Sequence, residues 1–534
     1  MKNAAINNAG NDYLYFALLL FGHIILIWIL PYFPTQDGPS HMYNLVILND
    51  LVHGGKDWVN YYTINYRLIP NLGFHVIAFP LLQIWSPIVT EKVFITLYVI
   101  LLGSGYLYFL HAFEKPKFPH AYFVLPVIFN FTLLMGNYSY TIAIPVYIIG
   151  LALQWKFRNA SIPAKFIIIN FFAVTLFLFH LIPFCLYIIS ASLILWIGSE
   201  KKLTVKYYLK QLILFLPCIL VLILYLWNTS DIYQLSQILQ KDQIASGSVE
   251  NFLTRKIFLI CELILFSTDT FSRWQLVPAA IFGFLVVCFS YESLKQLINK
   301  FINRGKLSPA NNFFFIQNII LIGIYLLAPF RWGSGSFFNE RLPWVILLFL
   351  IPVLTIPKAR LNKKIRPIVI MIVIFFLAVN TIVFNNESKK VQDFIAGLKI
   401  DMPKGSFLMT YKKPVDAWAR VPVDPWARVP VDAWARVDTI RHAGSYYGIK
   451  NKAIDVGNYQ ANTKFFLVEF NRTIPKLPQY LQVENNPHTI NFSHYPSIQY
   501  ILGHDLSEFD KKNLGNYFKI IFENNDLSIW RRKN

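Results

Sequence analysis

The first long apolar run, Tyr13 to Tyr32, is the feature that most restricts the fold of this chain. It has about the length that an α-helix needs to cross the hydrocarbon core of a bilayer. Further apolar runs follow it, and 55% of the 534 residues are hydrophobic while only 15% are charged. The mean hydropathy of +0.44 is far from that of a soluble protein. The sequence therefore predicts a polytopic α-helical membrane protein.

The formal net charge of +20 comes from basic residues that cluster in short loops between apolar runs, at 115–117, 156–165, 201–210, 295–306 and 358–366. Such clusters face the cytoplasm in membrane proteins, so we interpret the charge as topology and not as a nucleic-acid surface. The first span lacks a small-residue cleavage pattern and is expected to remain as a signal anchor. We expect a bacterial inner or plasma membrane, a cytoplasmic N-terminus and an extracytoplasmic C-terminus.

The membrane domain is predicted over residues 1–385, with about eleven spans when runs are counted against bilayer thickness. Residues 119–136 and 343–357 are counted among these spans. Two shorter runs, Leu72–Trp85 and Ile257–Ser267, are interpreted as segments that do not cross, the first of them inside a long external loop over 35–92. Two half-depth segments on one face suggest a cavity there, because irregular backbone at membrane depth is tolerated where it lines a wet site.

Residues 386–534 have the composition of a water-soluble extracytoplasmic domain. The pattern predicts a helix near Lys389–Leu398 and strands over Ser406–Tyr411, Lys464–Phe470 and Ile498–Leu502. The last two strands, Tyr517–Phe522 and Leu527–Trp530, flank turn residues and predict a hairpin. We expect a small α/β or α+β domain.

A tandem octad lies inside this domain, reading PVDAWARV at 414–421, PVDPWARV at 422–429 and PVDAWARV at 430–437. Eight residues with a proline at each start cannot bury a face as solenoid repeats do. We favour a repeat expansion that forms a protruding loop. The alternative is a Trp/Arg surface for headgroups or glycans.

The segment PTQDGPSHMYN at 34–44 places an acid directly after the first span. The carboxylate of Asp37 is therefore expected at the membrane-water boundary, where a lipid-linked substrate presents its headgroup. A competing interpretation is that Asp37 only caps the helix that Gly38 and Pro39 begin. His41, four residues further on, shares a helical face with Asp37.

Other polar residues are placed on the same outer face by the predicted topology, and charges near membrane depth are default functional candidates because they are costly there. They are Asn137, His180, Glu262, Arg273, Arg331, Glu340 and Arg341. Each has a structural alternative. In these alternatives, His180 only supplies a hydrogen-bond partner to the end of a helix, and Glu262 only pairs with Arg273. Glu340 and Arg341 would only belong to a solvated loop.

An acid just beyond the first span, a long first external loop, polar outward turns and a C-terminal external domain together resemble the GT-C superfamily of polyprenyl-phosphate-sugar-dependent glycosyltransferases. The acid of the first loop maps onto Asp37, and the two-acid pattern of many members is absent because Gly38 follows. The resemblance implies an inverting transfer from a lipid-linked sugar donor to a glycan, lipid or protein acceptor.

In such a reaction Asp37 suits the general base, and Arg341, with Arg331 or Arg273 as alternatives, suits the departing phosphate. His180 and Glu262 are candidate ligands of a divalent metal ion or acceptor-orienting groups. Two other classes stay open. A transporter or flippase of lipid-linked glycans usually shows internal repeats and charged residues near the bilayer midplane, and no clear repeat is visible in the predicted spans. An assembly protein would need only an anchor, for which about eleven spans are excessive.

Overall fold

The computed structural model describes residues 2–197, 213–229, 263, 268, 270–303, 307–328, 331–332, 335–336, 338–355, 359–412, 436–471, 490–524 and 526–533. Within these residues, 7 helical stretches are long and apolar enough to cross a membrane. They belong to α1 (Lys2–Ile29), α4 (Pro87–Ala112), α6 (Tyr138–Lys156), α7 (Ile162–Phe179), α10 (Leu276–Ile302), α11 (Pro309–Leu327) and α13 (Ala359–Ile395). The prediction of a polytopic helical membrane protein is confirmed.

Helix α1 shows how the apolar sequence divides between lipid and protein. Leu14, Leu18, Phe21 and Ile25 follow a helical spacing and are 44 to 56% exposed. The opposite face, which includes Leu26, is buried against the other helices. A continuous exposed apolar stripe on a long helix is the surface that lipid covers, because water would not tolerate it.

Several apolar runs form helices that are too short to cross. The run at Leu72–Trp85 forms α3 (Gly73–Leu82), which is about 15 Å long at 1.5 Å per residue and does not span, as predicted. Other helices of fewer than 18 described residues are α2 (Gly38–Val52), α5 (Phe131–Leu134), α8 (Leu181–Ile197), α9 (Leu216–Asn228) and α12 (Pro343–Leu350). Helix α8 borders residues outside the described ranges, and its 17 described residues are at the lower limit for a span.

Two predicted spans are not continuous α-helices. Residues 119–136 form a 3₁₀ helix over His120–Val127, with Pro126 inside it, followed by the four residues of α5. Residues 343–357 form α12 and a 3₁₀ turn that contains Pro352. Proline removes a backbone donor and breaks the α-helical ladder, which apolar run length alone does not reveal. Apart from Leu263, the predicted half-depth segment Ile257–Ser267 lies outside the described residues.

The C-terminal region contains a five-stranded mixed sheet in the order β5-β4-β7-β9-β8. Its strands are β4 (Phe407–Lys412), β5 (Ile454–Asp455), β7 (Ile498–His504), β8 (Phe518–Glu523) and β9 (Leu527–Arg532). β4 runs parallel to β5 and β7, whereas β9 is antiparallel to β7 and β8. The predicted α+β character and the terminal hairpin are confirmed. The helices of this region are α14 (Ser445–Asn451), α15 (Tyr459–Asn462) and α16 (Glu508–Tyr517).

The segment between α1 and α4 is part of the packing of the C-terminal region. Strand β1 (Tyr62–Ile64) pairs antiparallel with β6 (Val468–Phe470). Tyr43 and Ile47 of α2 are fully buried in one hydrophobic cluster with residues of the sheet. Two further two-residue strands, β2 (Arg331–Trp332) and β3 (Gly335–Ser336), pair with each other. The start of α2 therefore lies between the membrane helices and the C-terminal region.

Candidate functional site

The backbone before α2 is held against the turn that precedes α6. The amide groups of Gln36 and Asp37 donate to the carbonyl oxygens of Leu134 (3.0 Å) and Met135 (3.2 Å). Gly136 has a positive φ of 83°, and a Cβ there would lie 2.8 Å from Cβ of Asp37. Only glycine fits this close approach, so the turn fixes the backbone position of Asp37.

Asp37 occupies the N-cap position of α2, but its side chain makes no capping hydrogen bond. The carboxylate instead accepts from the hydroxyl of Tyr459 at 2.9 Å and from Nε2 of Gln36 at 3.2 Å. Tyr459 contacts Oδ2, and Gln36 contacts Oδ1. Nε2 of His442 lies 3.5 Å from Oδ1. The interpretation of Asp37 as a simple helix cap is therefore not what the structure shows.

Burial keeps the two groups from the C-terminal region neutral. It lowers the pKa of His442 to about 4, although the negative charge of Asp37 opposes this shift. It raises the pKa of Tyr459 well above its ordinary value, and the neighbouring Asp37 carboxylate adds to the rise. The carboxylate, whose side chain is 16% exposed, is thus held by uncharged partners and keeps access to solvent.

The position of Tyr459 follows from a short capped helix. Asn458 caps α15 by accepting from the amide of Ala461 at 3.3 Å. The same side chain exchanges two hydrogen bonds of 3.0 Å with Asn44 of α2. This amide pair locks α15 beside α2, and so places the phenol of Tyr459 over Asp37.

Gly38 explains why a second acid does not follow Asp37. A Cβ at this position would collide with Oγ1 of Thr35 and Oε1 of Glu91. Glu91 is buried and accepts from the hydroxyls of Thr35 and Tyr138. A carboxylate therefore lies behind the start of α2, supplied by α4 and not by the residue next to Asp37.

Arg341 forms the cationic side of the site. Its NH1 lies 2.9 Å from Nε2 of His180, and its NH2 donates to Oδ1 of Asn137 at 3.2 Å. The ring of Tyr140 lies 5.5 Å from the guanidinium carbon. Burial lowers the pKa of Arg341, and the charge of Asp37 opposes this shift. No ion pair joins Asp37 to Arg341 within the described chain, so the two charges interact at a distance and both remain open to a substrate.

Two donors of this cluster are buried without a hydrogen-bond partner among the residues that the structure describes. They are Nε of Arg341 and Nδ2 of Asn137. Unpaired buried donors beside a guanidinium favour an anionic oxygen as the missing partner, because leaving them unpaired is costly.

His180 both ends a helix and braces Arg341. The amide nitrogen of Ile182 lies 3.2 Å from its Nδ1, at the junction of α7 and α8. A neutral imidazole accepts at one nitrogen only, so Nε2 accepts from Arg341 in the tautomer that carries its proton on Nδ1. Burial and the nearby Arg341 lower the pKa of His180 well below its ordinary value. With a guanidinium beside Nε2, this ring does not fit a metal ligand. Among the described residues no group of three or more His, Cys, Asp or Glu is placed to hold a metal ion.

Glu340 is partly exposed and pairs with Arg436 rather than with Arg341 in the described chain. It accepts from Arg436 at 2.7 Å, and Arg436 also lies 4.2 Å above the ring of Phe131. The amides of Arg436 and Val437, the last two residues of the third octad, both donate to the carbonyl of Thr270. The end of the repeat is thus anchored beside the site, whereas residues 413–435 lie outside the described residues.

The other predicted site residues are placed differently. His41 is buried between Phe74 and Tyr138, with burial lowering its pKa to about 3, and its amide donates to the carbonyl of Asp37. Arg273 is exposed in a 3₁₀ turn and makes no polar contact with Asp37 in the described chain. The remaining two are not placed: the side chain of Arg331 and the whole of Glu262 lie outside the described residues.

The sequence did not point to the groups from the C-terminal region. Tyr459 and His442 lie more than 400 positions from Asp37 in the chain, and no motif surrounds them. Gly136 directly precedes Asn137, a predicted site residue, in the turn before α6, so a glycine beside a polar turn is a further sequence signal for this part of the site.

Comparison with known proteins gave two structural similarities. Over 98% of both chains, the protein is similar to ArnT from Cupriavidus metallidurans bound to undecaprenyl phosphate, with a TM-score of 0.49 and 10% identity. It is also similar to the arabinofuranosyltransferase AftD from Mycobacteria, with a TM-score of 0.42 and 11% identity, over 97% of this chain and 40% of that chain. No protein-family model matches the chain, and no curated protein matches it.

Proposed function

We propose that this chain is an integral-membrane glycosyltransferase of the GT-C type that moves a sugar from a polyprenyl-phosphate carrier to a hydroxyl acceptor. One observation carries the proposal. The carboxylate of Asp37 is not used by its own helix and makes no ion pair with Arg341, which lies in the same site. A base and an anion-binding cation that remain separate are what this transfer requires.

In the proposed reaction, Asp37 takes the proton of the acceptor hydroxyl as its oxygen attacks the anomeric carbon. The bond between that carbon and the phosphate oxygen breaks, and its electron pair leaves with the polyprenyl phosphate. A single displacement of this kind inverts the anomeric configuration. Tyr459 and His442 hold the carboxylate in place, because the aromatic hydroxyl and the neutral imidazole touch it directly.

Arg341 is proposed to bind the departing phosphate. A guanidinium can contact two phosphate oxygens at once, which a point charge cannot do. His180 and Asn137 fix the plane of this group. The partnerless Nδ2 of Asn137 supplies a further donor for the same anion.

The setting supports a lipid-linked donor. Asp37 follows the end of α1, Arg341 precedes α12, and His180 stands between α7 and α8. These residues lie where helices end, which is the depth of lipid headgroups. We propose that this face is extracytoplasmic, because the basic clusters mark the opposite ends of the helices.

A transporter of lipid-linked glycans is the second candidate, and the position of the charges speaks against it. Transporter sites form near the bilayer midplane at broken helices, whereas Asp37 and Arg341 stand at helix ends. An assembly protein has no need for the braced pair of charges. An assembly protein does not account for buried donors that converge beside a guanidinium.

Asp37→Asn tests the proposal in purified protein that is given synthetic polyprenyl-phosphate pentoses and hexoses together with a cell-envelope glycan and lipid extract as the source of the acceptor hydroxyl, with acceptor-dependent release of polyprenyl phosphate as the readout. Asparagine still accepts from Tyr459, so we expect folding to be retained. Loss of a general base should lower the rate by about a hundredfold to ten-thousandfold. Asp50→Asn, an equal change near the other end of α2, should leave the rate near that of the native chain.

Two results have different meanings. Full transfer activity in Asp37→Asn would show that Asp37 is not the base. If the native chain neither binds nor consumes any of these donors, the glycosyltransferase proposal is wrong and the transporter takes its place.

A further inference from the structure

A cavity lies in the membrane part, away from Asp37, where α4 and α6 end and α11 begins. Its volume is about 390 Å³. The polar and aromatic residues that matter for its chemistry are Glu114, Lys115, Trp155, Arg158, Ser308 and Asn311.

The cavity is at the opposite membrane boundary from the candidate site. Helix α4 carries Glu91 beside the start of α2 and ends at Ala112, next to the cavity. Its 26 residues extend about 39 Å at 1.5 Å per residue, which exceeds the hydrocarbon thickness of about 30 Å. The cavity is therefore at headgroup depth on the face that the basic clusters mark as cytoplasmic.

Two cationic side chains line the cavity in fixed positions. Lys115 donates to Oδ1 of Asn311, and its Nζ lies 5.2 Å from the ring centre of Phe314. The guanidinium of Arg158 lies 4.7 Å from the ring centre of Trp155 and donates to the carbonyl of that residue at 3.0 Å. A guanidinium has five N–H donors. Arg158 makes no other hydrogen bond in the part of the chain that the structure describes, so donors remain for an anion.

The start of α11 adds to the positive potential. Ser308 caps this helix by accepting from the amide of Asn311, and the helix runs for 19 residues. The first turn of such a helix carries a partial positive charge. Glu114 is the one acid in the lining, so Lys115 and Arg158 leave it with a net positive charge.

We propose that this cavity binds the headgroup phosphate of an anionic phospholipid of the inner leaflet. The chemistry is a phosphate held by a bidentate guanidinium and an ammonium group. Basic pockets between helix ends at a membrane boundary suit such headgroups. The acyl chains would follow exposed apolar side chains of the neighbouring helices. The inference is independent of the glycosyltransferase proposal, because the two sites lie on opposite faces.

Native mass spectrometry of the purified full chain can test the site with phosphatidylglycerol and phosphatidylcholine as probes. The double variant Lys115→Gln/Arg158→Gln removes both cations of the lining. Each basic residue near the surface contributes about fivefold to binding of anionic lipid, so we expect about thirtyfold weaker retention of phosphatidylglycerol. Phosphatidylcholine should bind weakly to both proteins.

A matched control removes equal charge on the same face outside the cavity, through Lys117→Gln/Lys156→Gln. Its retention of phosphatidylglycerol should stay close to that of the native chain, and Arg158→Lys should fall between native chain and double variant. Three results overturn the proposal: equal losses in both double variants, equal retention of phosphatidylcholine, or full displacement of the lipid by millimolar inorganic phosphate, which indicates a site for free phosphate.

Discussion

Tyr459→Phe is the change that most directly tests whether the C-terminal region completes the site. The hydroxyl donates to Oδ2 of Asp37 at 2.9 Å and accepts from Nε2 of Gln460 at 3.1 Å. Its ring centre lies 4.9 Å from that of His442. Phenylalanine keeps the ring packing and removes the hydrogen bond of 2.9 Å that Tyr459 donates to the carboxylate, the shortest contact to it from the described residues of this region.

The expected magnitude follows from positioning. Asp37 retains its contacts with Gln36 and His442, so the base survives but one oxygen is free to turn. A misplacement of about 1 Å at a reacting group can cost a hundredfold. With two of three contacts left, we expect kcat to fall by about ten- to a hundredfold. KM for the lipid donor should change little, because Tyr459 does not touch the phosphate side of the site.

The measurement is steady-state transfer from the donor that the Asp37 experiment identifies, with thermal unfolding recorded on the same samples. Tyr447→Phe is the matched control, since its buried hydroxyl donates to the carbonyl of Phe394 at 2.7 Å, away from Asp37. This control should cost stability without a drop in kcat of the folded protein. The reasoning is refuted if Tyr459→Phe keeps the native kcat or if both variants lose it equally.

Three further predictions follow from the same structure. Arg341→Lys should transfer more slowly than the native chain and faster than Arg341→Ala, because lysine keeps the charge and loses the bidentate contact; initial rates at saturating donor decide this. Deleting residues 422–437 should preserve folding and transfer, because the remaining copy supplies the same Arg and Val to the anchor, and loss of either would make the octad part of the site. The buried histidines His41 and His442 have folded pKa values of about 3 and about 4 against an ordinary 6.5. As the pH falls, the unfolded chain therefore takes up protons before the folded chain does. The free energy of unfolding should fall by roughly 1.4 kcal/mol per pH unit for each histidine as pH drops from about 6.5 toward 4. In thermal melts His442→Gln should flatten this slope, whereas His494→Gln, at an exposed position, should not.

The fold was predictable where one local signal decides it. Apolar length predicted α1 and α4, and the short run at Leu72–Trp85 was correctly interpreted as non-spanning. At 119–136 and 343–357 the predicted spans are not continuous α-helices in the described residues, because each apolar run contains a proline within a 3₁₀ turn. Alternating strands and a turn were enough to predict the terminal hairpin.

The site was predictable only on its membrane side. Asp37, Asn137, His180 and Arg341 were selected because polar residues at helix ends are rare in an apolar chain, and the structure brings the last three together. Tyr459 was not selected, because a tyrosine in a domain of soluble composition carries no cost that marks it. Its role depends on a contact between residues 422 positions apart.

The arrangement around Gly38 limits the sides from which the Asp37 carboxylate is accessible. A side chain at Gly38 would strike Glu91, so the face of α2 behind Asp37 is closed. The carboxylate therefore faces Tyr459 and His442, which belong to the C-terminal region. Arg341 is held from the membrane side by His180 and Asn137, so in the proposed reaction the acceptor hydroxyl and the phosphate are bound by residues from two different parts of the chain. The amide pair of Asn44 and Asn458 joins α2 to α15, and under the proposed function we expect this contact to keep Tyr459 in place beside Asp37.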